Sequence, residues 1–324
     1  MLPKFTYVRP TTVNEAFAVL NDRPSLIHGG GTDLLGCLRE GVFSADTLVS
    51  LSSIDELKGI HAAKDGGLRI GALTTVAAVA GSEPISAKYA ALADAAGEVA
   101  SPQLRNQGTL AGNLCQKPRC WYYRGDFDCL RKGGDKCFAY EGENQYHCIF
   151  GGDMCYIVHP SDTAPALAAL GAVCRVSGPS TSRSVAVESF HVSPTEDPQR
   201  ETVLKPDEIL TEIILPAPAK GLRSSYRKVR TRGAWDFALA GVALAIVFDG
   251  ETVISARIFL SGAAPVPWRA KGAEAVIVGT TLDAKTIDKA AAATVEGAEP
   301  LEENGYKVAL FEGLMKEQLE AIKN

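Results

Sequence analysis

The chain has 324 residues, enough for two or three domains with full cores, and its 46% hydrophobic and 22% charged content is ordinary for a globular protein. The formal net charge of −5 speaks against nucleic acid or an anionic membrane as a partner. The longest apolar run, Phe237 to Phe248, has 12 residues and includes Gly241, short of the roughly 20 that span a bilayer.

In chain order, Thr12 and Glu15 predict a capping box ahead of the apolar run Ala16 to Leu20. Pro24 to Ile27 reads as a short strand that enters His28-Gly29-Gly30-Gly31-Thr32-Asp33, followed by a helix over Leu34 to Arg39. Thr47 to Leu51 and Leu68 to Ala72 read as strands, and Ala87 to Val99 as one alanine-rich helix with Pro84 near its start. Periodicity is lost from Gln116 to Met154, a stretch that a compact domain tolerates only if something replaces its missing core. Ser161-Asp162 predicts an N-cap for Thr163 to Leu170, with Gly171 at C′. Pro216 to Gly221 reads as a linker. Beyond it come strands at Ser225–Arg230, Ala238–Phe248 and Val253–Leu260, then helices at Ala284–Val295 and Tyr306–Ile322. Strands followed by helices predict an α+β domain at this end.

Two small-residue segments could serve a nucleotide. Gly29, Gly30 and Gly31 let backbone N–H groups approach a pyrophosphate, and Thr32 adds a hydroxyl. Thr109-Leu110-Ala111-Gly112-Asn113 offers a hydroxyl and an amide to ribityl or phosphate oxygens, and Asp162 a carboxylate to a ribityl hydroxyl. Neither segment is a GxGxxG fingerprint, and each alone reads equally as an ordinary turn. Lys228, in Tyr226-Arg227-Lys228-Val229-Arg230, could tune a flavin ring or lie solvated on an amphipathic strand.

Eight cysteines are unevenly spread, and six fall within 41 residues: Cys115, Cys120, Cys129, Cys137, Cys148 and Cys155. Cys37 and Cys174 read as small buried apolar residues. The start MLPKFTYVRP has no basic segment leading into an apolar one, so a cytoplasmic chain is expected and the cluster argues for metal before disulfides. No CxxC pair is present, which disfavours zinc ribbons. Four thiolates from a loop suit a [4Fe–4S] cluster, with Arg119, Lys132 and Lys136 available to offset their charge. Spacing alone leaves iron–sulfur, zinc and free or disulfide-bonded thiols open.

Taken together, these blocks resemble the FAD-binding medium subunit of the xanthine dehydrogenase (molybdenum hydroxylase) family. Phe5-Thr6-Tyr7 with Pro10, then His28 to Leu35, resemble its first FAD loop. Leu68 to Ala72 with Thr74-Thr75 resemble its next signature. Gln103 to Asn106 with Thr109, Gly112, Asn113 and Leu114 resemble its second FAD loop. Pro160-Ser161-Asp162 with Pro165 to Leu167 and Leu170 to Ala172 resemble its Ser-Asp block. The resemblance implies an α+β fold: a PCMH-type FAD-binding domain of the vanillyl-alcohol-oxidase class over residues 1–218, with subdomains at about 1–55 and 56–218. A CO-dehydrogenase-flavoprotein-like α+β domain follows over 219–324. It implies FAD held by Ile27, His28, Gly29, Gly30, Gly31, Thr32, Asp33, Leu34, Thr109, Gly112, Asn113, Asp162 and Lys228.

Between Asn113 and Ser161 stand 47 residues where most such subunits have a short loop. That insert, about 114–158, resembles two cluster-bearing subgroups, the bacterial aldehyde oxidoreductase type and the 4-hydroxybenzoyl-CoA reductase type. Both imply Cys120, Cys137 and Cys155 as ligands. The aldehyde type implies Cys129 as the fourth, the pattern favoured here, and the reductase type places it near Cys148. The family further implies a large molybdopterin subunit, a small subunit with two [2Fe–2S] clusters, and an external acceptor (ferredoxin, quinone or oxygen). Substrate chemistry then lies on another chain, and no catalytic acid or base is expected in this one. Export to the periplasm is expected only with a partner bearing a twin-arginine signal. A stand-alone flavin oxidase and a metal-binding scaffold are the rival readings.

Overall fold

The computed structural model describes residues 1–323. It begins with β1 (Thr6–Val8), α1 (Val13–Asp22), β2 (Ser25–His28), α2 (Leu34–Glu40) and β3 (Thr47–Ser50). Thr12 caps α1 by accepting from Glu15 N at 3.2 Å. The Glu15 carboxylate closes the box one residue early, on Thr11 N at 2.7 Å. Ala16, Phe17 and Leu20 of α1 pack in one cluster with Val49 and Leu51. The three strands are parallel, in the order β1-β3-β2.

The next stretch holds β4 (Ile60–Ala62), β5 (Leu68–Gly71) and the short helices α3 (Val76–Ala80), α4 (Glu83–Lys88), α5 (Ala90–Glu98), α6 (Pro102–Gln107) and α7 (Leu110–Leu114). The one helix expected over Ala87–Val99 is two, because Tyr89 leaves helical geometry at φ −141°, ψ 52°. Its ring is buried and its hydroxyl donates to Pro216 O at 2.7 Å, contacts that an unbroken helix would forgo. The insert contains only α8 (Trp121–Arg124) and a single 3-10 turn at Leu130–Lys132. Then come α9 (Thr163–Ala169), β6 (Val173–Ser177), β7 (Ser182–Ala186) and β8 (Ile209–Leu215). β4 to β8 make an antiparallel sheet ordered β4-β5-β8-β6-β7.

After residues 216–221, which form no helix or strand, come β9 (Leu222–Val229), β10 (Ala240–Asp249), β11 (Thr252–Ser261), β12 (Trp268–Arg269), α10 (Lys271–Ile277), α11 (Ala284–Thr294) and α12 (Tyr306–Lys323). The sheet is antiparallel, ordered β12-β11-β10-β9. β10 is apolar on both faces because both are covered. Ala243 and Ala245 join the core of the preceding domain, while Val242, Leu244 and Ile246 join the core with α10 to α12. That two-sided burial explains the apolar run from Ala240 to Phe248, while Phe237 ahead of it is exposed. No described helix is long and apolar enough to cross a membrane.

The C-terminal domain grips the insert through the start of α12. Lys307 is buried, and its Nζ donates to Tyr146 O at 3.1 Å, His147 O at 2.9 Å and Gly262 O at 2.8 Å. Asn304 Nδ2 donates to the carbonyls of His147 and Cys148. Burial lowers the Lys307 pKa to about 8. The folded value lies below the unfolded one, so the unfolded chain binds this proton more tightly. Stability contributed at Lys307 therefore rises as pH climbs from about 8 to 10.5. In urea unfolding, the stability of the wild type relative to Lys307→Met should increase between about pH 7.5 and pH 10, by up to about 3 kcal/mol. A pH-independent difference would show that burial does not shift this lysine.

Candidate functional site

β2 carries Ile27 and His28 to the sheet edge, and the glycine run then turns the chain into α2 at Leu34. Gly31 has φ +72°, and a side chain there would strike the His28 ring. A Cβ on Gly30 would overlap the Gln107 carbonyl oxygen, and one on Gly29 would lie 3.1 Å from Thr109 Oγ1. Gln107 Nε2 donates to Gly30 O at 3.3 Å. The two candidate nucleotide segments therefore back onto each other, and only glycine allows the approach. His28 is half-buried with Nδ1 unpartnered among the described residues, and burial lowers its pKa.

The second segment is a helical turn rather than a loop, with Thr109 Oγ1 accepting from Gly112 N at 3.1 Å to cap α7. Asn113 Oδ1 then accepts from Ser161 Oγ at 2.5 Å and Thr163 Oγ1 at 2.7 Å. Ser161 caps α9 by accepting from Ala164 N at 3.0 Å, and Asp162 makes no cap bond. Asp162 is buried instead. Its Oδ1 accepts from Tyr226 Oη at 2.8 Å and its Oδ2 from Lys228 Nζ at 2.8 Å. Burial pushes the Asp162 carboxyl up, and the Lys228 charge opposes this. Lys228 thus neither stands free nor lies solvated: it is engaged by Asp162 and donates to Glu98 O at 3.2 Å. Asp33 is also engaged, accepting from Lys117 N at 2.7 Å and Arg124 Nη2 at 2.7 Å, with Arg119 Nη2 at 3.0 Å. All three donors belong to the first residues of the insert.

The eight cysteines are free thiols, and Cys37 and Cys174 are buried in cores. Cys120, Cys129, Cys137 and Cys155 line one narrow cavity together with Arg131 and His147. Its volume is about 10 Å³, the space of one water, so a larger group would sit where the thiols now approach one another. Cys148 is buried but does not line this cavity. Among the described residues no group of three or more His, Cys, Asp or Glu converges tightly enough to hold a single metal ion. Interaction between the Cys137 and Cys155 thiols lowers the Cys137 thiol and raises Cys155. Burial pushes Cys120 up to about 11.

The cations expected beside the thiols are elsewhere. Arg119 pairs with Asp33, Lys132 donates to Gly125 O, and Lys136 lies 4.8 Å over the Phe138 ring. The charge at the cavity is Arg131, which sequence reasoning passed over. Its Nη2 donates to Glu201 Oε1 at 2.8 Å, and Glu201 Oε2 accepts from Lys117 Nζ. His147 was also missed, and its Nε2 is 3.3 Å from Cys120 Sγ. The only signals were adjacency, two residues after Cys129 and one before Cys148, and Glu201 lies far along the chain.

The residues present suit both implied groups. Gly29, Gly30 and Gly31 join the two segments and present backbone without side chains, which suits the phosphates of a nucleotide. Four thiols beside a buried arginine whose Nε and Nη1 have no partner among the described residues suit an anionic cluster. The Asp162–Lys228 pair, 5% and 0% exposed, gives a direct test of the wall between the domains. Lys228→Met strands a buried carboxylate and should cost about 3–5 kcal/mol in urea unfolding, whereas Asp162→Leu with Lys228→Met should recover much of it. An unchanged midpoint for Lys228→Met would contradict the pairing.

Residues 3–218 match the family described as the FAD binding domain in molybdopterin dehydrogenase, and residues 224–322 match the CO dehydrogenase flavoprotein C-terminal domain. The chain is 36% identical over 311 residues to the aldehyde oxidoreductase FAD-binding subunit PaoB of Escherichia coli strain K12, covering 94% of each. It is 28% identical over 327 residues to the carbon monoxide dehydrogenase medium chain of Hydrogenophaga pseudoflava, covering 98% of this chain and 97% of that one. Among solved structures, the carbon monoxide dehydrogenase of Hydrogenophaga pseudoflava superposes with TM-score 0.78 at 27% identity, over 99% of this chain and 98% of that chain. Reconstituted CO dehydrogenase from Oligotropha carboxidovorans superposes with TM-score 0.79 at 25% identity, over 100% and 99%.

Proposed function

This chain belongs to the FAD-binding medium subunits of the molybdenum hydroxylases, and from that premise we propose that it is the electron-transfer subunit of a heteromeric aldehyde oxidoreductase, carrying FAD and one [4Fe–4S] cluster. The observation that carries the cluster is the gathering of Cys120, Cys129, Cys137 and Cys155 around one cavity. It supports Cys129 over Cys148 as fourth ligand. The aldehyde assignment, rather than the 4-hydroxybenzoyl-CoA reductase type, is supported by the relative at 36% identity over 94% of this chain.

When bound, FAD and the cluster supply the redox chemistry, and the protein supplies binding, orientation and field. Ile27 to Leu34 would hold the nucleotide with Thr109, Gly112 and Asn113, the glycines bringing backbone N–H groups to the phosphates. Asp162 and Lys228, tied to each other, would present a fixed wall in place of a mobile charge. Partner subunits in this reading are a large molybdopterin chain, where substrate reacts, and a small chain with two [2Fe–2S] clusters. A ferredoxin, quinone or oxygen is the external acceptor. The compartment, cytoplasm or periplasm, follows whichever partner bears an export signal.

The test is metal and flavin analysis of the full chain purified without oxygen. About four irons and one flavin per chain are expected for this cofactor set. Cys129→Ser should lose the iron and its EPR signal while Cys148→Ser keeps both, and Gly30→Val should lose flavin. Zinc in place of iron would sink the cluster assignment. Iron lost in Cys148→Ser and kept in Cys129→Ser would move the fourth ligand and favour the reductase type.

A further inference from the structure

Arg131 reaches the thiol cavity with its side chain only 2% exposed. Nη2 is occupied, donating to Glu201 Oε1 at 2.8 Å and to Arg200 O at 3.1 Å. Nε and Nη1 have no hydrogen-bond partner among the described residues. A guanidinium carries five N–H donors, has no acceptor and does not deprotonate in a protein. The N–H groups on Nε and Nη1 are therefore buried and without acceptors, which is costly unless the cavity supplies them. A thiol is a weak acceptor, whereas a thiolate or cluster sulfide is anionic and accepts well.

We propose that Arg131, held in place by Glu201, is a positioning residue that donates its free N–H groups to the anionic sulfurs of the cluster and raises the cluster's reduction potential. The inference rests on the cluster reading above. Reduction adds negative charge to the cavity, and a buried cation favours the more negative state. The same logic fixes the sign at Glu201. Its carboxylate offsets Arg131, so its removal leaves the cation more fully felt. His147 is a second donor: once Cys120 is a thiolate, only the imidazole can supply the proton of their 3.3 Å contact. Its Nδ1, unpartnered among the described residues, then carries the lone pair.

The experiment is an EPR-monitored redox titration of the full, cluster-loaded chain, with iron content measured alongside. Arg131→Gln should keep the cluster and shift its reduction equilibrium at least tenfold toward the oxidised form, 59 mV for one electron. Arg131→Lys should recover part of the shift. Glu201→Gln should move the potential upward, opposite in sign to Arg131→Gln, whereas loosened packing would admit water and raise the potential in both variants. Unchanged potentials in both Arg131→Gln and Glu201→Gln, or a shift in the same direction in both, would overturn the proposal. If Arg131→Gln holds no iron, Arg131→Lys decides: a downward shift, which loosened packing would not give, supports the role, and an unchanged or upward one removes it. A wild-type chain without iron overturns the cluster reading itself, and this inference with it.

Discussion

A carboxylate withdrawn from water must be paired or neutralised, and that constraint shapes the junctions of this protein. Asp33 lies at the glycine turn, Glu201 in the loop before β8, and Asp162 ahead of α9, with side chains 15%, 9% and 5% exposed. Each takes its cation from a different part of the chain. Asp33 draws in Arg119 and Arg124, Glu201 holds Lys117 and Arg131, and Asp162 holds Lys228. Lys117 links two of these sites, since its backbone N–H reaches Asp33 and its ammonium reaches Glu201. A continuous line of charges thus runs from the glycine turn to the thiol cavity.

The insert shows what such pairing accomplishes. It has too little regular structure to bury a core of its own, and its fold is borrowed from three sides. The ion pairs on Asp33 and Glu201 hold its first half. Asn304 and Lys307 of the C-terminal domain hold residues 146–148 by their carbonyls. Aromatic packing fills the space between, with Tyr122 against Phe127 and Phe138, and Trp121 against Tyr146. The thiols occupy what remains, so the cavity is a product of surrounding contacts rather than of any local motif.

The glycine turns obey a steric version of the same economy. Gly30 meets the Gln107 carbonyl and Gly29 meets Thr109, so two segments nearly eighty residues apart form one surface. Asn113 then ties that surface to Ser161 and Thr163, and Asp162 ties it onward to β9. The candidate residues are spread from Ile27 to Lys228, yet Thr109 bonds Gly112, Asn113 bonds the neighbours of Asp162, and Asp162 bonds Lys228.

The sequence by itself determined most of the regular elements, because local signals suffice for them. The cap at Thr12, the helix after Asp33, the stop at Gly171 and the scarcity of regular structure between Cys115 and Cys155 all follow from residue type and spacing. It failed at Tyr89, where a distant contact with Pro216 outweighed alanine-rich helix propensity. It failed again on the cations, naming Arg119, Lys132 and Lys136 by proximity along the chain. Only the tertiary structure decided that Arg131 faces the thiols, that Cys148 stands outside their cavity, and that Lys228 answers Asp162. The physical reason is common to all three. Propensity acts between near neighbours in sequence, whereas a buried charge is satisfied by whichever group the fold brings within about 3 Å, and for Arg131 that group is Glu201, seventy residues on.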